Sequence, residues 1–284
     1  LAERLVEPED FARAVRAVAR AAGRPAGAVG VIEIGGLNAL VPALTAHALS
    51  LPLVDGDLMG RAFPRIDQSL AAAHGVPAAP MALTGPAGDT VLVPEVSERR
   101  AEPLLRANVL ALGGAAALAL YPLPAERLAG IGVTGSVGAC LGLGERFLRA
   151  SQAALAPAEL AERLGADLLA VGRTEEIVPR HGQRPGSLSL TDRHSGAVVR
   201  VDFLDEFLAV TRDGVTVAAT PQILAAVDPS GRRPLRTDQV RAGSHLALMR
   251  LPALHAWPPG AEQRVGPAAF GLDLDAEPGD RGRA

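Results

Sequence analysis

One cysteine in 284 residues, Cys140, excludes a disulfide framework and a cysteine-built metal cluster within the chain. It points to a reducing, cytoplasmic setting. Aromatic residues make up 3% of the sequence, so the core must be built from Ala, Val, Leu and Ile packed closely. The net charge of −3 comes with no basic stripe and no aromatic platform, which leaves nucleic-acid binding without support. No uninterrupted apolar run reaches the roughly eighteen residues of a membrane span. The six histidines show no HxH or HExxH spacing, so no zinc site is legible. A GxSxG elbow, a Walker A loop and internal repeats are also absent.

What is present reads as two parts. Arginine carries the positive charge beside abundant alanine, a pairing typical of GC-rich coding, so single surface arginines say little. Pro8, Glu9 and Asp10 open a helix over 8–22 that Gly23 ends. A strand is expected over Val29–Ile34, a helix over Asn38–Leu49 and a second strand over Leu51–Val54. A helix over 67–74 and strands at 81–83 and 91–93 follow. This alternation predicts an α/β domain with a mainly parallel sheet over residues 1–165. Within it, residues 98–150 read as mostly helical with a break at Gly113-Gly114, and a helix starts at Thr134-Gly135-Ser136. After about residue 166 the pattern changes to short strands separated by turns, such as Asp213-Gly214 between 207–211 and 215–219. That predicts a β-rich, barrel- or sandwich-like domain over 166–276, with a flexible tail at 277–284.

Chemistry concentrates in a few places. Asp55, Asp57 and Arg61 lie in a glycine-containing loop at a strand end, where open α/β sheets bind ligands. Either aspartate could activate water or hold a divalent metal, although no His or Cys spacing indicates one, and the cofactor stays open. Arg61 could grip an anionic edge, or simply neutralise the aspartates in an ion-paired turn. Glu33 sits in an apolar strand and needs a partner, either a ligand or a structural group. Gly35-Gly36 could present free amides to an anion, and Asn38 serves equally well as a helix N-cap. Thr134 and Ser136 could bind an oxyanion or merely cap a helix. Cys140, one turn inside that helix, reads as a buried, inert thiol more readily than as a nucleophile. Asp205-Glu206 could turn a carboxylate inward, or mark a strand bend at a solvated edge.

The runs Glu33–Asn38 (EIGGLN) and Leu51–Pro64 (LPLVDGDLMGRAFP) resemble the signature of the S-methyl-thiohydantoin desulfurase-like family. Supporting likeness lies at 203–208, 219–224 and 265–271. The family was long listed as a domain of unknown function, and its members occur beside or fused to hydantoinase/oxoprolinase enzymes. The resemblance implies an α/β domain followed by a β-barrel-like domain. It also implies hydrolysis of a thiohydantoin- or hydantoin-like small heterocycle. Glu33, Asn38, Asp55, Asp57, Arg61, Asp205 and Glu206 fall on its motif positions. Two departures stand out, Leu37 in place of a usual glycine and Asp205 in place of an asparagine. The resemblance leads to the expectation of a further glycine-rich α/β segment ahead of these residues, so that the 1–165 domain reads as N-terminally truncated. The expected partner is a small-molecule substrate. The rival reading is a non-catalytic subunit docking on a hydantoinase/oxoprolinase-type enzyme, with homo-oligomerisation open.

Overall fold

The computed structural model describes residues 5–274. The 277–284 tail lies outside the described residues. The chain divides into two compact units, 1–139 and 140–284.

In the first unit, α1 (Pro8–Ala21) begins with proline at its first turn, and the Asp10 carboxylate accepts from the Glu7 amide at 2.9 Å. Then come α2 (Leu37–Leu49), β1 (Gly56–Asp57), α3 (Leu70–Ala73), β2 (Met81–Thr84), β3 (Thr90–Val93), α4 (Glu98–Ala111), β4 (Ala117–Ala119), α5 (Ala125–Ile131), β5 (Val133–Thr134) and α6 (Ser136–Gln152), which runs on past residue 139. The three-stranded sheet has the order β3-β2-β4. Side chains alternate across it. Ala82 and Ala119 meet Ala14, Ala17 and Val18 of α1, while Met81, Leu83 and Leu118 pack with Ala101 and Leu105 of α4. Alanines on both partners let α1 approach the sheet closely.

The mainly parallel sheet expected here is not what forms. β2 pairs antiparallel with both β3 and β4, and β1 pairs antiparallel with β5. The short link from β2 to β3 closes through a bond from the Gly88 amide to the Gly85 carbonyl at 2.9 Å. A parallel return needs a crossover of a dozen or more residues, which that link cannot supply. The expected strand at 29–34 contributes one parallel bridge, Val29 to Leu53, and no ladder.

In the second unit, α7 (Pro157–Leu164) starts on proline and ends at Gly165, whose φ of 67° suits the left-handed cap. The strands are β6 (Asp167–Val178), β7 (Gly186–Thr191), β8 (Val198–Phe203), β9 (Phe207–Arg212), β10 (Val215–Ala219), β11 (Ile223–Asp228), β12 (Arg233–Leu235) and β13 (His245–Leu251), followed by α8 (Glu262–Val265). They form one antiparallel sheet in the order β10-β9-β8-β7-β6-β13-β11-β12. Leu246 and Leu248 face a core with Leu188, Leu190, Val199 and Val201. Ala247 and Met249 face a second core with Leu160 and Leu164 of α7. The expected barrel does not close, because β10 and β12 end the sheet without pairing to each other. β12 is three residues long and carries Pro234, which has no amide to donate to a further strand. Among the described residues no helix is long and apolar enough to cross a membrane.

Candidate functional site

The first unit gathers most of the chemically marked residues around the loop that leaves the Val29–Leu53 bridge. Gly35 lies so close to the neighbouring loop that a Cβ there would meet the Ala62 Cβ at 2.5 Å. Glycine is therefore what lets residues 33–38 dock on residues 57–63. Glu33 is 5% exposed. Its Oε1 accepts from Asn38 Nδ2 at 2.7 Å, and its Oε2 accepts from the Gly35 amide. The partner that a charge in apolar surroundings demands thus comes partly from its own loop. The cap residue of α2 is Gly36, at φ 51°, not Asn38, which spends its side-chain amide on Glu33.

Asp57 is fully buried, and its Oδ1 accepts from the amides of Met59 and Gly60, each at 2.6 Å. Those bonds fold the Asp57–Gly60 turn. Arg61 is 7% exposed, with its guanidinium carbon 5.1 Å from the centre of the Phe63 ring. Asp55 is exposed, and its Oδ1 accepts from the Gly138 amide in the first turn of α6 at 3.0 Å. A carboxylate at that position suits the positive end of the helix. Gly56 pairs with Thr134 and Asp57 with Val133, which brings Thr134 and Ser136 beside the acidic loop. Thr134 is exposed and Ser136 is buried. Asp205 and Glu206 belong to the second unit, at the exposed bend between β8 and β9, where Asp205 pairs with Arg180 at 3.1 Å.

A cavity of about 890 Å³ opens within the first unit. Of the residues singled out in the sequence, Glu33 and Asn38 line it. Asp55, Asp57 and Arg61 are not part of its lining, to which their neighbours Gly56, Leu58, Met59 and Phe63 contribute. The remaining polar lining was not legible in the sequence. Glu102 of α4 accepts from Arg106 at 2.6 Å and from the Ile66 amide at 3.0 Å. Tyr121 donates to the Ile66 carbonyl at 3.0 Å. The i,i+4 spacing of Glu102 and Arg106 marks a helix pair, but only the fold shows that it borders a cavity. Among the described residues no group of three or more His, Cys, Asp or Glu side chains gathers that could hold a metal ion.

Residues 1–95 match the family described as S-Me-THD-like, N-terminal domain, and residues 96–279 match S-Me-THD-like, C-terminal domain. A crystal structure of a protein from Chromobacterium violaceum shares the fold with a TM-score of 0.68 at 23% identity. The likeness covers 86% of this chain and 70% of that one. No curated protein matches.

Proposed function

Because the chain belongs to the S-methyl-thiohydantoin desulfurase-like family, we propose that it hydrolyses a C–S or cyclic amide bond of a small thiohydantoin- or hydantoin-like ring bound beside Glu33. The observation that carries this reading is the Glu33 carboxylate itself: buried, on the wall of a cavity, and oriented by two donors. A carboxylate oxygen can accept more than one hydrogen bond, so a ligand N–H or a water can share it with other donors. In this reading Glu33 takes the proton of a water whose oxygen attacks the ring carbon. The proton then passes to the departing sulfur or nitrogen as its bond to carbon breaks. Asn38 and the Gly35 amide hold the carboxylate in place. Asp57 and Asp55 keep the loop and the start of α6 in register, and Arg61 stiffens the segment beneath.

The test is turnover of thiohydantoins and hydantoins by the purified chain, with Glu33→Gln and Asp57→Asn beside it. Glu33→Gln should lower turnover by roughly a hundredfold to ten-thousandfold. Asp57→Asn, which keeps an oxygen for the Met59 and Gly60 amides, should leave most of it. Equal turnover by Glu33→Gln and the unaltered chain would remove Glu33 from the chemistry.

A further inference from the structure

Glu33 and Asn38 form one unit whose hydrogen-bond polarity is fixed. A carboxylate only accepts, so the group that meets Glu33 Oε1 at 2.7 Å has to be the Asn38 amide nitrogen. That contact settles which way the planar Asn38 amide faces, and it leaves Oδ1 for something other than Glu33. Among the described residues no donor reaches that oxygen. Asn38 is exposed and lines the cavity, whereas Glu33 is buried in its wall. Asn38 is also the second residue of α2, so the helix fixes the backbone that carries the amide. An exposed acceptor is thereby held in one orientation by the residue proposed to activate water.

The two oxygens are close enough to share one small ring. Within an amide the oxygen lies about 2.2 Å from the nitrogen. Asn38 Oδ1 therefore stands within about 5 Å of Glu33 Oε1. A ring N–H that donates to Oδ1 at about 2.9 Å puts the carbon bonded to that nitrogen within reach of a water held by Glu33. We infer that Asn38 is the specificity-determining residue of this site, and that the ring it admits carries an unsubstituted N–H beside the carbon that water attacks. The inference rests on the hydrolytic reading above and narrows its substrate class. Asn38 Nδ2 keeps a second N–H, but rings of this class all offer carbonyl or thiocarbonyl acceptors. Selection among them therefore turns on the donor that Oδ1 accepts. A ring methylated at that nitrogen leaves Oδ1 without its partner and sets a methyl group against it.

The experiment is titration calorimetry of the purified full chain with hydantoin, 2-thiohydantoin and their N1-methyl, N3-methyl and dimethyl derivatives, with turnover measured beside it. The dimethyl rings should bind about tenfold or more weakly than the parents, and one of the two monomethyl series should share that loss. In Asn38→Ala the preference for parent over dimethyl ring should shrink to within about threefold, while Asn38→Ser, which keeps an oxygen acceptor, should retain part of it. The preference is a ratio taken within one protein, so a general loosening of the loop does not move it. Equal binding of parent and dimethyl rings, binding of no ring in the series, or an undiminished preference in Asn38→Ala would each overturn the inference. A preference for the N–H without turnover would retire the hydrolytic reading and leave the recognition standing. Turnover indifferent to N-methylation would do the reverse.

Discussion

Single residues divide into those whose task their neighbours in sequence reveal and those whose task appears only in space. Glu33 belongs to the first kind, because a carboxylate among Val31, Ile32 and Ile34 has to be compensated. Asn38 belongs to the second. Its position before an apolar run reads as a cap, whereas its amide is bonded to Glu33 at 2.7 Å. Asp57 reads as a water-activating group, and the fold gives its Oδ1 two backbone donors in a tight turn. Asp57→Ala should lower stability by about 1–3 kcal/mol by orphaning those amides, and Asp57→Asn by distinctly less, as read from urea denaturation midpoints. Asp192 offers a pH prediction. Burial, the largest influence, pushes its pKa up. The Ser195 hydroxyl, the Val171 and Ser195 amides and nearby His194 outweigh burial and leave it below the ordinary value of 3.8. A depressed native pKa stabilises above the ordinary value, and that contribution is lost as pH falls through the native one. Urea midpoints should therefore fall on acidification below about pH 4, and Asp192→Asn should flatten that fall.

Elements were legible wherever punctuation and period agreed. Pro8 and Pro157 start α1 and α7, and β10 runs over the residues that its alternation and the Asp213-Gly214 turn mark. Pairing partners were harder. The antiparallel turn from β2 to β3 passes through Gly85 and Gly88, but a strand-helix-strand rhythm upstream favoured the parallel reading. β4 and β12 escaped because alanine-rich or proline-containing triplets carry no strand signature, and the six-residue β11 escaped with two alanines at its centre. α2 carries Leu37, Leu40 and Leu44 more than half exposed, and it tolerates Pro42 beyond its first turn. The start of α6 depends on a carboxylate eighty-three positions upstream, Asp55. Asp55→Ala should destabilise the chain by about 1 kcal/mol, with Asp55→Asn restoring most of that loss, as read from thermal unfolding by circular dichroism.

At the scale of the whole molecule, the shortage of aromatics has been met by interdigitated aliphatic cores, one set in each unit. Leu190 is fully buried in the second unit, and Leu190→Ala should cost about 2–5 kcal/mol. Trp257, the single tryptophan, lies in that same unit. Its fluorescence should follow the shifted unfolding transition in denaturant. The sheet that fails to close has a practical side. An eight-stranded sheet with two ends is a template onto which further copies of the chain could polymerise. Here one end is cut to three residues bearing Arg233 and Pro234, and the other is irregular between Thr216 and Ala218. Colloidal behaviour in crowded solution, and hence shelf life at high concentration, thus rests on a handful of residues at the two ends of that sheet.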